Sequence, residues 1–202
     1  KDMVPTAYTP VYELANEDGG YADNGLATTS GRVTTGMWGY AVDMSGVAVS
    51  LGYNPNPAAG AEAEVSIGLK YADLMDGLTV GAGRMDDGDV AESDTLGVSY
   101  TAGSITAAYQ ITKVDYEATG TADQDSVHYG VSVAVNENLS VSAGRMAVDI
   151  KDAADDETNT GMSASYTMGS IKIAGAFNQV DSGSGVADRD AESTSLNISF
   201  AF

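Results

Sequence analysis

Two acidic runs, DDGDVAESD at residues 86–94 and DAADDETNT at residues 152–160, hold the densest oxygen chemistry in the chain. Asp86, Asp87 and Asp89 in the first, with Asp155, Asp156 and Glu157 in the second, are candidate calcium ligands, because that ion takes several hard oxygen donors on adaptable loops. Neither run has EF-hand spacing, and a solvated acidic loop is the commoner outcome of such composition. Nucleophilic or acid–base catalysis finds less to work with. His128 is the single histidine, and it alternates with Tyr129 in a way that places it on the polar side of a strand, as a solvated side chain rather than a base. There is no Ser–His–Asp order, no phosphate loop, no zinc pair and no cysteine. An enzyme is therefore the least favoured class, and no cofactor is implied beyond calcium at the acidic loops.

The charge balance narrows the partners further. With 29 acidic residues against 9 basic ones, a net charge of −20, the chain as a whole is repelled by nucleic acid and by anionic surfaces. No run of about 18 apolar residues exists, so a helical membrane span is excluded.

The elements that must carry these residues are strands. Val47, Val49, Leu51 and Tyr53 alternate with Ala48, Ser50 and Gly52, and the same period of two recurs through Val65–Tyr71, Leu96–Tyr100, Ile105–Ile111, Val127–Val133, Met162–Met168 and Ile171–Phe177. With the less regular stretches 32–42, 78–85 and 139–146, and the closing STSLNISFAF, about eleven strands are predicted and no helix. Short connections alternate with long polar ones, and the four long connections after residue 85 hold 18 of the 29 acids. That is the pattern of an up-and-down antiparallel sheet whose two rims face different surroundings. SYTAGSI at 99–105 returns as SYTMGSI at 165–171, and LTVGAGRM at 78–85 returns as LSVSAGRM at 139–146, so the hairpin is the repeating unit.

Alternation alone fits a soluble sandwich as well as a membrane barrel, and the polar faces decide between them. A sandwich exposes Lys and Glu on its outer face. Here the second face is Ser, Thr, Gly, Ala and Asn, which suits the inside of a closed barrel, while Tyr53, Tyr71, Tyr100 and Tyr166 near strand ends suit interfacial girdles. The expected fold is all-β, a transmembrane antiparallel up-and-down barrel. Arg84 and Arg145 share parity with lipid-facing residues but lie near strand ends, where snorkelling to the headgroups costs little. Since the first clear turn, at 43–46, is short, the strand before it begins at the long-loop rim, and at least one further strand is expected upstream.

The segment TPVYELANEDGGYADNG, followed by GYAVDMSGVAVSLGY, resembles the inward-folded third loop and following hairpin of alphaproteobacterial general diffusion porins, and the SYTxGSI hairpins and the LNISFAF end are similar too. The resemblance implies that the chain runs from the third loop to the C-terminus of a sixteen-stranded barrel, with residues 1–31 as constriction loop and residues 32–202 as strands and acidic outer loops. It implies passive diffusion of small hydrophilic solutes and ions across the bacterial outer membrane, in a homotrimer contacting outer-membrane lipid and lipopolysaccharide, with no nucleic acid partner. Glu13, Glu17, Asp18 and Asp23 would be the loop acids near passing ions, opposed by Lys70 and Lys172, and the charge balance leans to cations. Leu196, Ile198, Phe200 and Phe202 match the terminal signal for outer-membrane insertion. The alternative is a barrel acting as a structural or adhesive surface protein whose acidic loops hold a partner or calcium.

Overall fold

Hairpin follows hairpin through the computed structural model, which describes residues 38–55, 62–86, 88, 91–117 and 119–200. Among the described residues eleven strands form one sheet in sequence order, each antiparallel to the next: β1 Trp38–Met44, β2 Val47–Asn54, β3 Glu64–Met75, β4 Leu78–Asp86, β5 Ala91–Ala102, β6 Ile105–Tyr116, β7 Gln124–Ala134, β8 Leu139–Ile150, β9 Glu157–Met168, β10 Ile171–Asp181 and β11 Ala191–Phe200. A 3₁₀ turn at Gly183–Gly185 is the sole helical element among the described residues. No described helix is long and apolar enough to cross a membrane. Within the described residues β1 and β11 are not paired with each other, so both edges of the sheet stand open.

The short turns obey the chemistry of two-residue hairpins. Ser45 and Gly46 both take positive φ, 53° and 83°, as the primed turn that matches strand twist requires. Gly77 shows a harder constraint: φ is 75°, and a Cβ there would lie 2.0 Å from the Thr101 carbonyl oxygen of the adjacent turn. The turn between β3 and β4 thus packs directly on the next hairpin, with Thr101 N–H donating to the Gly77 oxygen at 2.8 Å.

Burial along each strand is inverted relative to a soluble sheet. On β5 the shielded positions are Ala91, Ser93, Thr95 and Gly97, while Leu96, Val98 and Tyr100 are exposed. On β6 Gln110 and Thr112 are buried and Tyr109 is exposed. Large apolar side chains therefore cover the outer face and small polar ones the inner face, the arrangement a barrel needs when hydrocarbon surrounds it. The apolar core is correspondingly slight: Met146 and Val148, with Ile150 packed against them. Stability in such a sheet comes from its continuous ladder of backbone bonds and from the lipid-facing band rather than from a packed interior.

Strands run farther than the apolar alternation predicts. Glu92 and Asp94 belong to β5, Asp115 to β6, Asp125 to β7, Asp149 to β8 and Glu157 to β9, so many acids expected in loops sit on strand ends beyond the apolar band. Hydrogen-bonded pairing does not stop where the lipid-facing residues stop, which is why hydropathy underestimates the strand ends.

Candidate functional site: the polar inner face

Inner-face residues meet in lateral rows set by the register. One row runs Thr101, Thr106, Ser132, Ser142, Ser163, crossing β5 to β9 with a hydroxyl at every step. Neighbouring hydroxyls bond to each other: Thr101 with Thr106 at 2.9 Å, Ser142 with Ser163 at 2.6 Å, and, one row nearer the short turns, Ser140 with Ser165 at 2.7 Å. A parallel row reads Gly130, Gly144, Gly161, where no side chain projects. A cavity of about 470 Å³ opens over this wall, lined from Gly103 and Thr106 on one side to Lys172 and Ala174 on the other. Strands β6 and β10 would stand roughly 19 Å apart in a flat sheet at the usual spacing, so a single cavity touching both shows that the sheet curls around its polar face.

Charge is sparse on that wall. Among the described residues the inner-face positions carry Asp43, Glu64, Glu157, Lys70 and Lys172. Asn54 Nδ2 donates to Glu64 Oε2 at 3.0 Å. Lys70 is exposed at mid-strand on β3, and Lys172 lies seven strands away near the short-turn rim, beside Thr167 and Ser199. The two lysines predicted to oppose the loop acids are on the polar face as expected, but the sheet does not bring them together. Glu13, Glu17, Asp18 and Asp23 lie outside the described residues, as does Phe202, while Leu196, Ile198 and Phe200 line up exposed on the outer face of β11.

His128 corrects an expectation. It occupies the polar face, but it is 3% exposed rather than solvated, with Nε2 at 3.2 Å from Ser126 Oγ and with Gln110 and Met146 at its lateral positions. The inner face closes over it at the long-loop end, which alternation along one strand cannot reveal.

The calcium candidates also sort themselves. Asp86 Oδ1 accepts the Gly88 N–H at 3.0 Å, Asp155 and Asp156 are exposed, and Asp87 and Asp89 lie outside the described residues. Among the described residues no three acidic, histidine or cysteine groups gather. Glu157 is instead a fully buried clasp: Oε1 accepts Asn159 Nδ2 and Oε2 accepts the Ser184 N–H, both at 2.6 Å. This ties the 3₁₀ turn between β10 and β11 onto the connection between β8 and β9. Asp155 N–H donates to the Gly185 oxygen at 3.4 Å, and a Cβ on Gly185 would lie 2.5 Å from Ala153 Cβ. Ser182 and Ser184 take left-handed backbone, at φ 53° and 58°, to present that N–H. The only sequence signal for the clasp is DSGSG at residues 181–185, whose glycines and serines tolerate such turns.

The long-loop rim is held by ion pairs on the outer face. Arg84 reaches Glu92 at 2.6 Å and Asp94 at 3.4 Å, Lys113 reaches Asp125 at 3.2 Å, and Lys151 reaches Asp123 at 3.1 Å. Asp123 also accepts the Tyr116 N–H at 3.0 Å. That backbone bond, and then Lys151, hold its carboxyl below the ordinary range, while Asp123 pushes the Lys151 ammonium above its own.

An apolar exterior around a hydroxyl-lined interior defines an outer-membrane β-barrel. The model of the family described as Gram-negative porin matches residues 3–160, and the chain belongs to that family. It resides in the bacterial outer membrane, as a channel protein rather than an enzyme. Among solved structures it is similar to an anion-selective porin from Comamonas acidovorans, at 14% identity and TM-score 0.66 over 97% of this chain and 72% of that one. OccK3 of Pseudomonas aeruginosa gives 11% identity and TM-score 0.67 over 81% and 58%. A mutant porin of Rh. blastica gives 19% identity and TM-score 0.62 over 82% and 55%. At these identities the likeness is one of fold, and the chain spans little more than half of the last two. No curated protein sequence matches.

Proposed function

We propose that the protein is a general diffusion porin of the alphaproteobacterial type, passing small hydrophilic solutes without a binding step. The observation that carries this is the inner wall, where a cross-strand hydroxyl row faces a cavity and the described charges are three acids and two lysines. A wall of neutral donors and acceptors replaces hydration without trapping an ion. Its cation preference is modest and arises from the acidic mouth, where the −20 is concentrated, together with Glu13, Glu17, Asp18 and Asp23 on the loop of residues 1–31. A field of that origin is screened by salt. The complete barrel has sixteen strands, and it works as a homotrimer.

Reconstitution of the whole protein in planar bilayers tests this directly. Stable conductance steps are expected, with reversal potentials favouring cations at 0.01 M salt and approaching neutrality at 1 M, and liposomes should swell in small neutral sugars. Selectivity unaffected by salt would move the determinant from the mouth to the wall. Absence of steps would favour a structural or adhesive surface barrel. Neutralising Glu13, Glu17 and Asp18 together should lower the low-salt preference, and no change would remove them from the constriction.

A further inference from the structure

Two copies of one motif, LTVGAGRM on β4 and LSVSAGRM on β8, place Arg84 and Arg145 six residues after the strand start, both on the apolar outer face. Their surroundings differ. Arg84 is neutralised by Glu92 and Asp94 on the adjacent strand. Among the described residues Arg145 has no carboxylate beside it: its lateral neighbours are Tyr129 and Thr160, Ala143 and Ala147 flank it along the strand, and its side-chain bond there is from Nη2 to Thr158 Oγ1 at 3.5 Å. The outer-face cations of the other described strands, Arg84 and Lys113, are each matched by an acid. Among the described residues Arg145 is thus the outer-face cation with no acid matched to it, and three hydroxyl side chains lie around it.

We propose that Arg145, with Tyr129, Thr158 and Thr160, binds a phosphate group of the outer-leaflet lipid. The proposal rests on the porin reading, which sets the long loops outside. A guanidinium offers five donors in a planar fork suited to phosphate oxygens, and here one of the five is spent, weakly. Six residues along a strand tilted by about 40° rise roughly 15 Å, which puts Arg145 in the upper part of an apolar band about 25 Å tall, and its long side chain reaches headgroup level from there. Elsewhere on this rim the excess of acids repels an anionic headgroup, so the outer-face cation left unpaired among the described residues fixes where one can settle. The occupant is the lipid phosphate rather than a second chain, because the flanking Ala143, Ala147 and Met162 offer acyl chains a flat apolar surface.

The test uses the complete protein purified in mild detergent, with native mass spectrometry of retained lipid after incubation with bisphosphorylated lipid A, dephosphorylated lipid A or inorganic phosphate. Wild type and Arg84→Gln should retain phosphorylated lipid A; Arg145→Gln should lose it by about tenfold or more, the worth of one charge-assisted bond, and Arg145→Lys should keep an intermediate share. Equal retention by Arg145→Gln, equal loss by Arg84→Gln, or undiminished binding of dephosphorylated lipid A would overturn the proposal. Displacement by millimolar inorganic phosphate would show a free-anion site, and loss of the oligomer without loss of lipid would assign Arg145 to a partner chain; either result also overturns it. Bilayer conductance of the same samples separates the two readings, since Arg145→Gln should conduct as wild type does whatever happens to lipid retention.

Discussion

The two faces of this sheet are built from the same strands, alternate residues apart, yet they solve opposite problems. On the outer face Leu96, Val98, Tyr109, Tyr129 and Val131 stand exposed without penalty because hydrocarbon is their solvent. On the inner face Gln110, Thr112, Ser126 and Asn159 are shielded, and their polarity is used for bonds: Thr112 and Ser126 bond across strands, and Gln110 and Asn159 bond along their own. The difference teaches that burial and hydrophobicity are independent here. A rule that buries apolar residues would assign every strand the wrong way round.

The largest expected effect sets one face against the other. Val131→Arg, in the middle of the apolar band, should cost about 2–4 kcal/mol of unfolding free energy in lipid. Ser142→Arg, on the inner face, loses the bond to Ser163 and should cost no more than about 1 kcal/mol while reducing conductance. Denaturant titration in vesicles reads the first quantity and bilayer recording the second. Comparable destabilisation by the two arginines would sink the assignment of faces.

Within the inner face a second contrast separates the open hydroxyl wall from the clasped mouth. Glu157→Ala leaves the Ser184 N–H and the Asn159 amide without their acceptor, and should destabilise the sheet by about 1–3 kcal/mol. Hydrogen exchange across residues 182–190 should accelerate well before that of the strands. Gly185→Ala, at φ 70° and in collision with Ala153, should have the same local effect with Glu157 intact. Unchanged exchange in both variants would mean that the clasp does not order the outer loops.

How much of this was legible beforehand follows from the same two faces. The alternation of Val65–Tyr71 against Ser66–Lys70 gave fold and facing, because period two is a one-dimensional signal and each hairpin is local. Residues whose role depends on two loops meeting were not legible. Glu157 reads as one acid in an acidic run, and its partner Ser184 lies 27 residues away across a turn with left-handed backbone. His128 was placed on the correct face but not at the correct exposure, since closure of the inner face depends on how far the sheet curls. The contrast between Arg84 and Arg145 was hidden for the same reason: both sit in the same AGRM stretch, and the facing strand decides what each meets.

The smallest effect concerns the rim where the two faces end. Asp123 and Lys151 join the ends of β6, β7 and β8; Lys151 is exposed and Asp123 half-buried beside water, so each contributes little. Folding lowers the carboxyl pKa, so its contribution is complete above the ordinary carboxylate value and fades as pH falls through the lowered one. Folding raises the ammonium pKa, so that contribution is complete below the ordinary lysine value and fades as pH climbs through the raised one. Protection of residues 117–123 from proteolysis should therefore be level from about pH 4 to pH 10, with a shallow fall on each side. Asp123→Asn should remove the acid limb and Lys151→Gln the alkaline one, leaving the strands unaffected. An acid limb that persists in Asp123→Asn would remove this contact as its origin and sink the assignment of the rim's pH response to the Asp123–Lys151 pair.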